Sequence, residues 1–389
     1  ITKRGIVEAS ARDTWVAGYP VMVPMIDIHT IGAGGGSIAR VDSGGAFRVG
    51  PQSAGANPGP ACYGLGGTEA TVTDANVVLK RLDKDFFIGG QMKIDPALSL
   101  EVISNLAAQL DVGVDDAAEG VLTIANHNMA NAIKARTIQK GHDPRNFSLL
   151  AFGGAGPLHA VAVAASMGIP EVIVPRYPGI TSAMGLLTTD MKYDLIQNEF
   201  MLSENPDAQR LDKDLHMLEE RAREYLSKDG VADTDMVFIR GADCRYVGQG
   251  YELRATIPDG EVTSDAVDQI WSNFHAIHEE EYGRMFLDNP IELVNLRVMA
   301  IGQVPKLQAS VLDNVSAVKD AILGQDELLF RVDSKVQSYV TNFYLRERLP
   351  ADEDFDGPAI VLQNDSTTVI PPNTNVVLDS VGNMILTII

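Results

Sequence analysis

Apolar residues recur along this chain with two different periods, and the change from one to the other predicts its elements. Between 114 and 140, Ala118, Val121, Leu122, Ala125, Met129, Ala132 and Ile133 fall at steps of three and four, which predicts a long amphipathic helix closed by Gly141. A shorter helix is predicted at 98–110, and another opens at Asp74, read as its N-cap. The apolar run 148–152 reads as a strand that passes through the glycine turn GGAGP into an Ala-rich helix at 158–167, and EVIVP at 171–175 reads as the next strand. Upstream, GIVEAS and YPVMVPMIDIHT read as extended, with Pro20 and Pro24 favouring edge positions, and SIARVD and AFRVG read as short strands. Past 195 the pattern shifts to charged helices at 208–229 and 265–284, two strands within MVFIRGADCRYVGQGYELRATIPDG, and three β-rich stretches. The expected organisation is an α/β domain over 1–195 followed by a β-rich α+β domain over 196–389.

Composition narrows the function classes. The chain has 389 residues, enough for two or three domains with sizeable cores. With 31 basic against 52 acidic residues its net charge is −21, which argues against a nucleic-acid surface. Cys62 and Cys244 stand in unlike contexts, so a disulfide framework is not expected and a reducing, cytoplasmic setting is. No uninterrupted apolar run is long enough to span a bilayer, and ITKRGIVEAS lacks the apolar region of a signal peptide. The first residue is not Met, so the expectation is that the chain begins inside a longer polypeptide.

Several residue groups carry candidate chemistry. Asp27 and His29, two apart on a strand, present a carboxylate and an imidazole on one face, suited to a divalent metal, to an acid–base pair, or to hydrogen bonding the loop that follows. Cys62 lies among Gly and Pro residues in GPACYGLGG, a loop context for a ligating or reactive thiol, with a packed, inert thiol as the alternative. Together Asp27, His29 and Cys62 offer O, N and S donors, a set Zn²⁺ accepts, and His159 can add a fourth ligand, meet phosphate, or cap its turn. Gly34, Gly35 and Gly36 in IGAGGGS allow close backbone approach to phosphate or simply make a turn; the block fits neither a P-loop nor a dinucleotide fingerprint. Gly153, Gly154, Ala155 and Gly156 place a glycine turn at a helix N-terminus, an anion-binding arrangement. His216, His275 and His278 fall in charged helices and are expected in solvent, while Arg245, Tyr246 and Gln249 form a polar aromatic patch.

The blocks DIHTIGAGGGSIARVD, RVGPQSAGANPGPACYG, TVTDANVVL, HDPRNFSLLAFGGAGPLHA, RYPGITSAMGLL, RYVGQGYEL and GPAIVLQNDSTTVIPP, in this order, resemble the hydantoinase A/oxoprolinase/acetone carboxylase family. The resemblance implies an ATP-dependent enzyme subunit with an actin-like, ribonuclease H-like nucleotide fold, using ATP with Mg²⁺ and carrying a further divalent metal. It implies activation of a carbonyl, either a cyclic amide to be hydrolysed or a ketone to be carboxylated, and a B-type companion subunit in an oligomeric assembly, with neither nucleic acid nor membrane as partner. In that fold AFGGAGP resembles the adenosine-binding turn. The family's DxGGT phosphate loops are absent from this sequence, which implies that the other half of the ATPase is supplied by the same or another polypeptide, and that the isolated chain is inactive or a non-catalytic assembly subunit. DIHT leans towards the hydantoinase and ketone carboxylase branches, and the leading expectation is part of an ATP-dependent hydantoinase-type amidohydrolase.

Overall fold

Contacts group the chain into two units, Ile1–Ala183 with Ala309–Ile389, and Met184–Gln308. The computed structural model describes residues 28–306, 311–312, 317–332 and 335–389, preceded by the backbone of four two-residue pieces, β1 (Glu8–Ala9), β2 (Trp15–Val16), β3 (Tyr19–Pro20) and β4 (Met25–Ile26). After these come β5 (Ser37–Val41), β6 (Phe47–Ser53), α1 (Val72–Val78), α2 (Pro96–Leu110) and α3 (Val114–Arg136). The chain continues through β7 (Ser148–Leu150), α4 (Gly156–Met167), β8 (Glu171–Val174) and α5 (Thr181–Leu187). The second unit holds β9 (Met191–Leu202), α6 (Ala208–Lys228), β10 (Met236–Tyr246), β11 (Leu253–Thr256), α7 (Ser264–Tyr282) and β12 (Ile291–Gly302). Returning to the first unit, the chain adds β13 (Ile322–Val332), β14 (Lys335–Leu345), β15 (Asp354–Asp356), β16 (Ala359–Gln363), β17 (Ser366–Ile370), β18 (Thr374–Leu378) and β19 (Met384–Ile388).

The first unit is built on a sheet of order β15-β18-β19-β8-β7. Strands β7 and β8 run parallel with α4 as their crossover, and β19 pairs antiparallel with the other edge of β8. Val161 and Ala164 of α4 pack with Val172, Val174, Met384 and Leu386 of this sheet in one core. A four-stranded sheet, β13-β14-β16-β17, lies in the same unit, and α1, α2 and α3 share a separate core with the β5–β6 hairpin. Helix α1 starts one turn earlier than an Asp74 N-cap predicts. Thr71 is the cap, accepting from the Asp74 N–H, while Asp74 at the third helical position reaches back to the Thr71 N–H at 3.1 Å in a capping box. Asp74 is wholly buried and also accepts from the Ala61 and Cys62 N–H groups and the Ser99 hydroxyl. It therefore ties the Cys62 loop to two helices. The helix predicted to 140 ends at Arg136 and finishes in a 3₁₀ turn, Ile138–Lys140, before Gly141 at φ 79°.

The second unit is an antiparallel sheet of order β11-β10-β12-β9 with α6 and α7 sharing its core. On α6, Leu211, Leu215, Leu218, Ala222 and Leu226 are buried at steps of three and four, and Asp207 caps the start by accepting from the Arg210 N–H. On α7 the same spacing buries Trp271, Phe274 and His278. His278, expected in solvent, is 3% exposed because it continues this apolar stripe; its Nδ1 donates to the Arg284 carbonyl at 2.7 Å. The expected boundary at 195 falls inside β9, which pairs with β12 on both sides of that residue. No single helix among the described residues is long and apolar enough to cross a membrane.

Candidate functional site

The two glycine segments meet. In the first unit a cleft of about 330 Å³ is lined by Gly35 and Gly36, by Gly154 and Ala155, by Thr73 and Asn76 of α1, and by the β16–β17 hairpin at Gln363–Ser366. Each wall is held by short-range chemistry. The Gly35 carbonyl accepts from the Thr73 N–H at 2.8 Å and from its hydroxyl at 2.9 Å. A Cβ on Gly35 would fall 2.7 Å from Thr73 Oγ1, and one on Gly36 would fall 2.8 Å from Ser53 Oγ, so both positions need a bare backbone. Opposite them, Gly153 adopts φ +83° and donates its N–H to the Pro178 carbonyl at 2.7 Å, which turns the chain into α4. The N-cap of α4 is Ala155, which offers no side-chain cap to the first-turn N–H groups, and Pro157 lies in that first turn. The hairpin is stitched to this turn: the Ser366 hydroxyl donates to the Gly154 carbonyl at 3.4 Å, and Asp365 Oδ2 accepts from the Gly179 N–H at 2.8 Å.

Three buried side-chain atoms on residues lining the cleft have no protein partner: Asn76 Oδ1, His159 Nε2 and Asp365 Oδ1. His159 is 3% exposed, and its Nδ1 lies 2.8 Å from Asn126 Oδ1. With Nδ1 donating to that amide oxygen, Nε2 is left as a lone-pair acceptor. Burial first, and then the charge of Arg81, push the imidazole pKa down to about 4, so it is neutral at physiological pH. All three unsatisfied atoms are therefore acceptors, and a buried polar group of this kind costs free energy until a ligand or water pairs with it. The cleft thus combines an uncapped helix N-terminus, which favours negative charge, with acceptors that favour hydroxyl or amino groups. A nucleoside phosphate carries both kinds of group.

The expected cofactor residues divide. Gly35, Gly36, Gly154 and Ala155 line the cleft, Gly153 shapes its rim, and Gly156 opens α4. Gly34 turns its N–H to Ser37 Oγ at 2.9 Å instead. The expected metal residues go to separate neighbours. His29 is exposed and accepts from Arg136 through Nδ1 at 3.1 Å, and His159 pairs with Asn126. Cys62 is 1% exposed, with burial pushing its thiol pKa up to about 12. Asp27 lies outside the described residues, and among those described no three His, Cys, Asp or Glu side chains converge on a metal-sized point. Asn76 and Asp365 were not legible as site residues; the only signal was the Asn-Asp pair between two apolar strands, which reads as a hairpin turn.

Comparison with known proteins agrees with this architecture. The hydantoinase/oxoprolinase family model matches residues 3–195 and the hydantoinase/oxoprolinase C-terminal domain model matches 203–386. The alpha subunit of caprolactamase from Pseudomonas jessenii is 32% identical over 95% of this chain and 53% of its own length. The gamma subunit of acetophenone carboxylase from Aromatoleum aromaticum is 33% identical over 98% of this chain and 54% of its own length. Among solved structures, nucleotide-free acetone carboxylase superposes with a TM-score of 0.84 at 24% identity, over 99% of this chain and 55% of that one. The caprolactamase crystal structure from Pseudomonas jessenii gives 0.74 at 32% identity, over 94% of this chain and 53% of that one. The chain spans about half the length of these two relatives. Two family models in tandem over nearly all of the sequence, with the same fold in both structures, place this chain in the hydantoinase/oxoprolinase family.

Proposed function

We propose that this chain is part of an ATP-dependent hydantoinase-type amidohydrolase subunit, which activates a cyclic amide at its carbonyl oxygen for ring opening. The observation that carries the reading is the cleft, where Gly35, Gly36 and Gly154 converge beside three unpaired acceptors, Asn76 Oδ1, His159 Nε2 and Asp365 Oδ1. ATP, when bound, supplies the phosphoryl group that makes the amide oxygen a leaving group. The bare backbone at Gly35 and Gly36 lets the nucleotide approach closely, and the start of α4 faces its negative charge. Asn76, His159 and Asp365 accept from its hydroxyl and amino groups and fix its orientation. The glycine turn belongs to the adenosine side of an actin-like cleft, and the remaining half of that cleft comes from polypeptide beyond this chain. A B-type companion subunit completes the hydrolysis; the subunit designations of the caprolactamase and acetophenone carboxylase relatives support an assembly of this kind.

A ketone carboxylase subunit is the second reading, favoured by the 33% identity to acetophenone carboxylase gamma. ADP release by the protein containing this chain, together with its companion subunit, separates the two. Release that depends on a hydantoin or lactam supports the hydrolase. Release that depends on a ketone with bicarbonate, and not on any cyclic amide, overturns it.

A further inference from the structure

Within the second unit, α7 and the loop after it enclose a groove of about 470 Å³. Asp268, Ser272, Ala276 and Glu279 line it from the helix at steps of four, four and three, so they share one face, and the two carboxylates stand at its ends, about 16 Å apart. Ser272 and Ala276 between them are small and exposed, which opens the middle of the groove to a close approach. The loop wall is held in place: the Phe286 N–H donates to the Tyr246 hydroxyl at 2.9 Å, and the Arg284 carbonyl accepts from His278 at 2.7 Å. The Phe286 ring packs edge-on against Tyr246, which leaves Met285 and Leu287 facing the groove, 40% and 68% exposed. His275, also on this face, pairs with the Tyr246 hydroxyl, and burial and then His278 hold its pKa below the ordinary value, so it adds no charge at pH 7. Other groups are left unsatisfied. Trp271 lines the groove at 8% exposure with an indole N–H that has no acceptor, and the Asp268 and Glu279 side chains make no hydrogen bond or ion pair among the described residues. From Ser264 to Asp288 the chain carries six carboxylates against one guanidinium, Arg284, which lies over the Phe286 ring at 5.2 Å and does not line the groove.

We propose that this groove docks an amphipathic helix of a partner polypeptide, antiparallel to α7, with Lys or Arg at both ends of its contact face and apolar residues between them. Cations at positions i and i+11 of such a helix match the spacing of Glu279 and Asp268, and apolar residues at i+4 and i+7 lie against Ser272, Ala276, Met285 and Leu287. The antiparallel sense brings the partner's last turn to Trp271, one turn from Asp268. Carbonyls in a last turn have no intrahelical donor, and one of them accepts the indole N–H. That end of a helix also favours a cation, which meets Asp268. A second copy of this chain suits the groove poorly, because its net charge of −21 would set carboxylates against carboxylates. The docking is independent of the nucleotide reading, whose cleft belongs to the first unit.

The test is calorimetry on the full chain with a short Ala-based helical peptide carrying Lys at i and i+11 and Leu at i+4 and i+7. Control peptides move the second Lys to i+9, on the opposite face, or replace both Lys by Glu. The first peptide should bind at least about tenfold more tightly than the Glu control and at least about threefold more tightly than the i+9 control, with an affinity that falls as salt is raised. Asp268→Asn and Glu279→Gln should each weaken it about threefold, as loss of an exposed ion pair does, and Leu287→Ser about tenfold. In protein labelled with nitrogen-15 tryptophan, the Trp271 indole N–H resonance, assigned with Trp271→Phe, should shift downfield on binding. Equal binding of the i+9 peptide, an affinity indifferent to both carboxylate substitutions, an unmoved indole resonance, or no binding overturns the proposal. A concentration-dependent dimer that Leu287→Ser dissolves would give the groove to a second copy and overturn it equally.

Discussion

Replacing His159 by Gln keeps a hydrogen-bond partner for Asn126 and removes a titrating group from the centre of the first unit. Burial holds the imidazole pKa at about 4 in the fold against 6.5 in an unperturbed histidine. Between those values the unfolded chain takes up a proton that the folded chain refuses. The contribution to stability is therefore complete above about pH 6.5 and is lost as pH falls through that window towards 4. At about 1.4 kcal/mol per pH unit, the gap between 6.5 and about 4 corresponds to roughly 3 kcal/mol in full, more than half of it already lost at pH 5. The assay is hydrogen-exchange protection of the α4 amides at pH 7 and pH 5, corrected for the intrinsic exchange rate, in wild type and His159→Gln. Wild type should lose about 2 kcal/mol more than the variant over that interval, other titrating groups cancelling in the difference. A His159 ring resonance that titrates near 6.5, or equal losses in the two proteins, would refute a neutral, desolvated imidazole at this position.

Other outcomes follow from the same structure. Gly35→Val forces a side chain onto Thr73 Oγ1, 2.7 Å from the Cβ position, and should abolish ATP binding by calorimetry while Gly324→Ala, with no atom within 4 Å and no positive φ, leaves it intact. Asp74→Ala strips acceptors from the Ala61, Cys62 and Thr71 N–H groups and the Ser99 hydroxyl inside the core, and should cost about 3 kcal/mol or more in urea unfolding. Glu119→Gln leaves the buried Arg81 guanidinium without its carboxylate and should destabilise by about 3–5 kcal/mol, read by the same unfolding. Cys62, with a thiol pKa of about 12 under 1% exposure, should resist alkylation at pH 8 in the folded protein and react at once in denaturant.

What could be read in the sequence was whatever depends on neighbours in the chain. The three- and four-residue spacing of Leu211, Leu215, Leu218, Ala222 and Leu226 marks α6 directly, and GGAGP before an Ala-rich run marks the turn into α4. On α7 the same spacing places His278 inside, four residues after Phe274, and outweighs the general polarity of the helix. Asp74 has a side chain able to cap a helix, but in the fold Thr71 is the cap, and Asp74 closes the box while holding the loop at 61–62. The site was half legible for a different reason. Gly35, Gly154 and Asp365 come together by folding over distances that no local pattern encodes, so the hairpin wall of the cleft had no signal near either glycine segment. Of the candidate metal donors that are described, His29 faces Arg136, His159 faces Asn126 and the Cys62 thiol is buried, an arrangement set by folding that no spacing in the chain encodes.

The pairing of β8 with β19 bears on how the protein is made. Strand β8 finds its parallel neighbour β7 as soon as α4 has formed, yet its other edge waits for Met384–Ile388. At ~5–20 residues per second, the intervening stretch of about 200 residues takes on the order of 10–40 s to synthesise. Through that interval the emerging chain displays an apolar, unpaired edge, the kind of surface that recruits foreign strands. The second unit, whose strands all lie between Met191 and Gly302, can finish folding within the same interval. The cleft, which also needs the hairpin at Gln363–Ser366, therefore closes only after that hairpin has emerged, and shielding the waiting edge of β8 is the step at which a chaperone would raise the yield of folded protein.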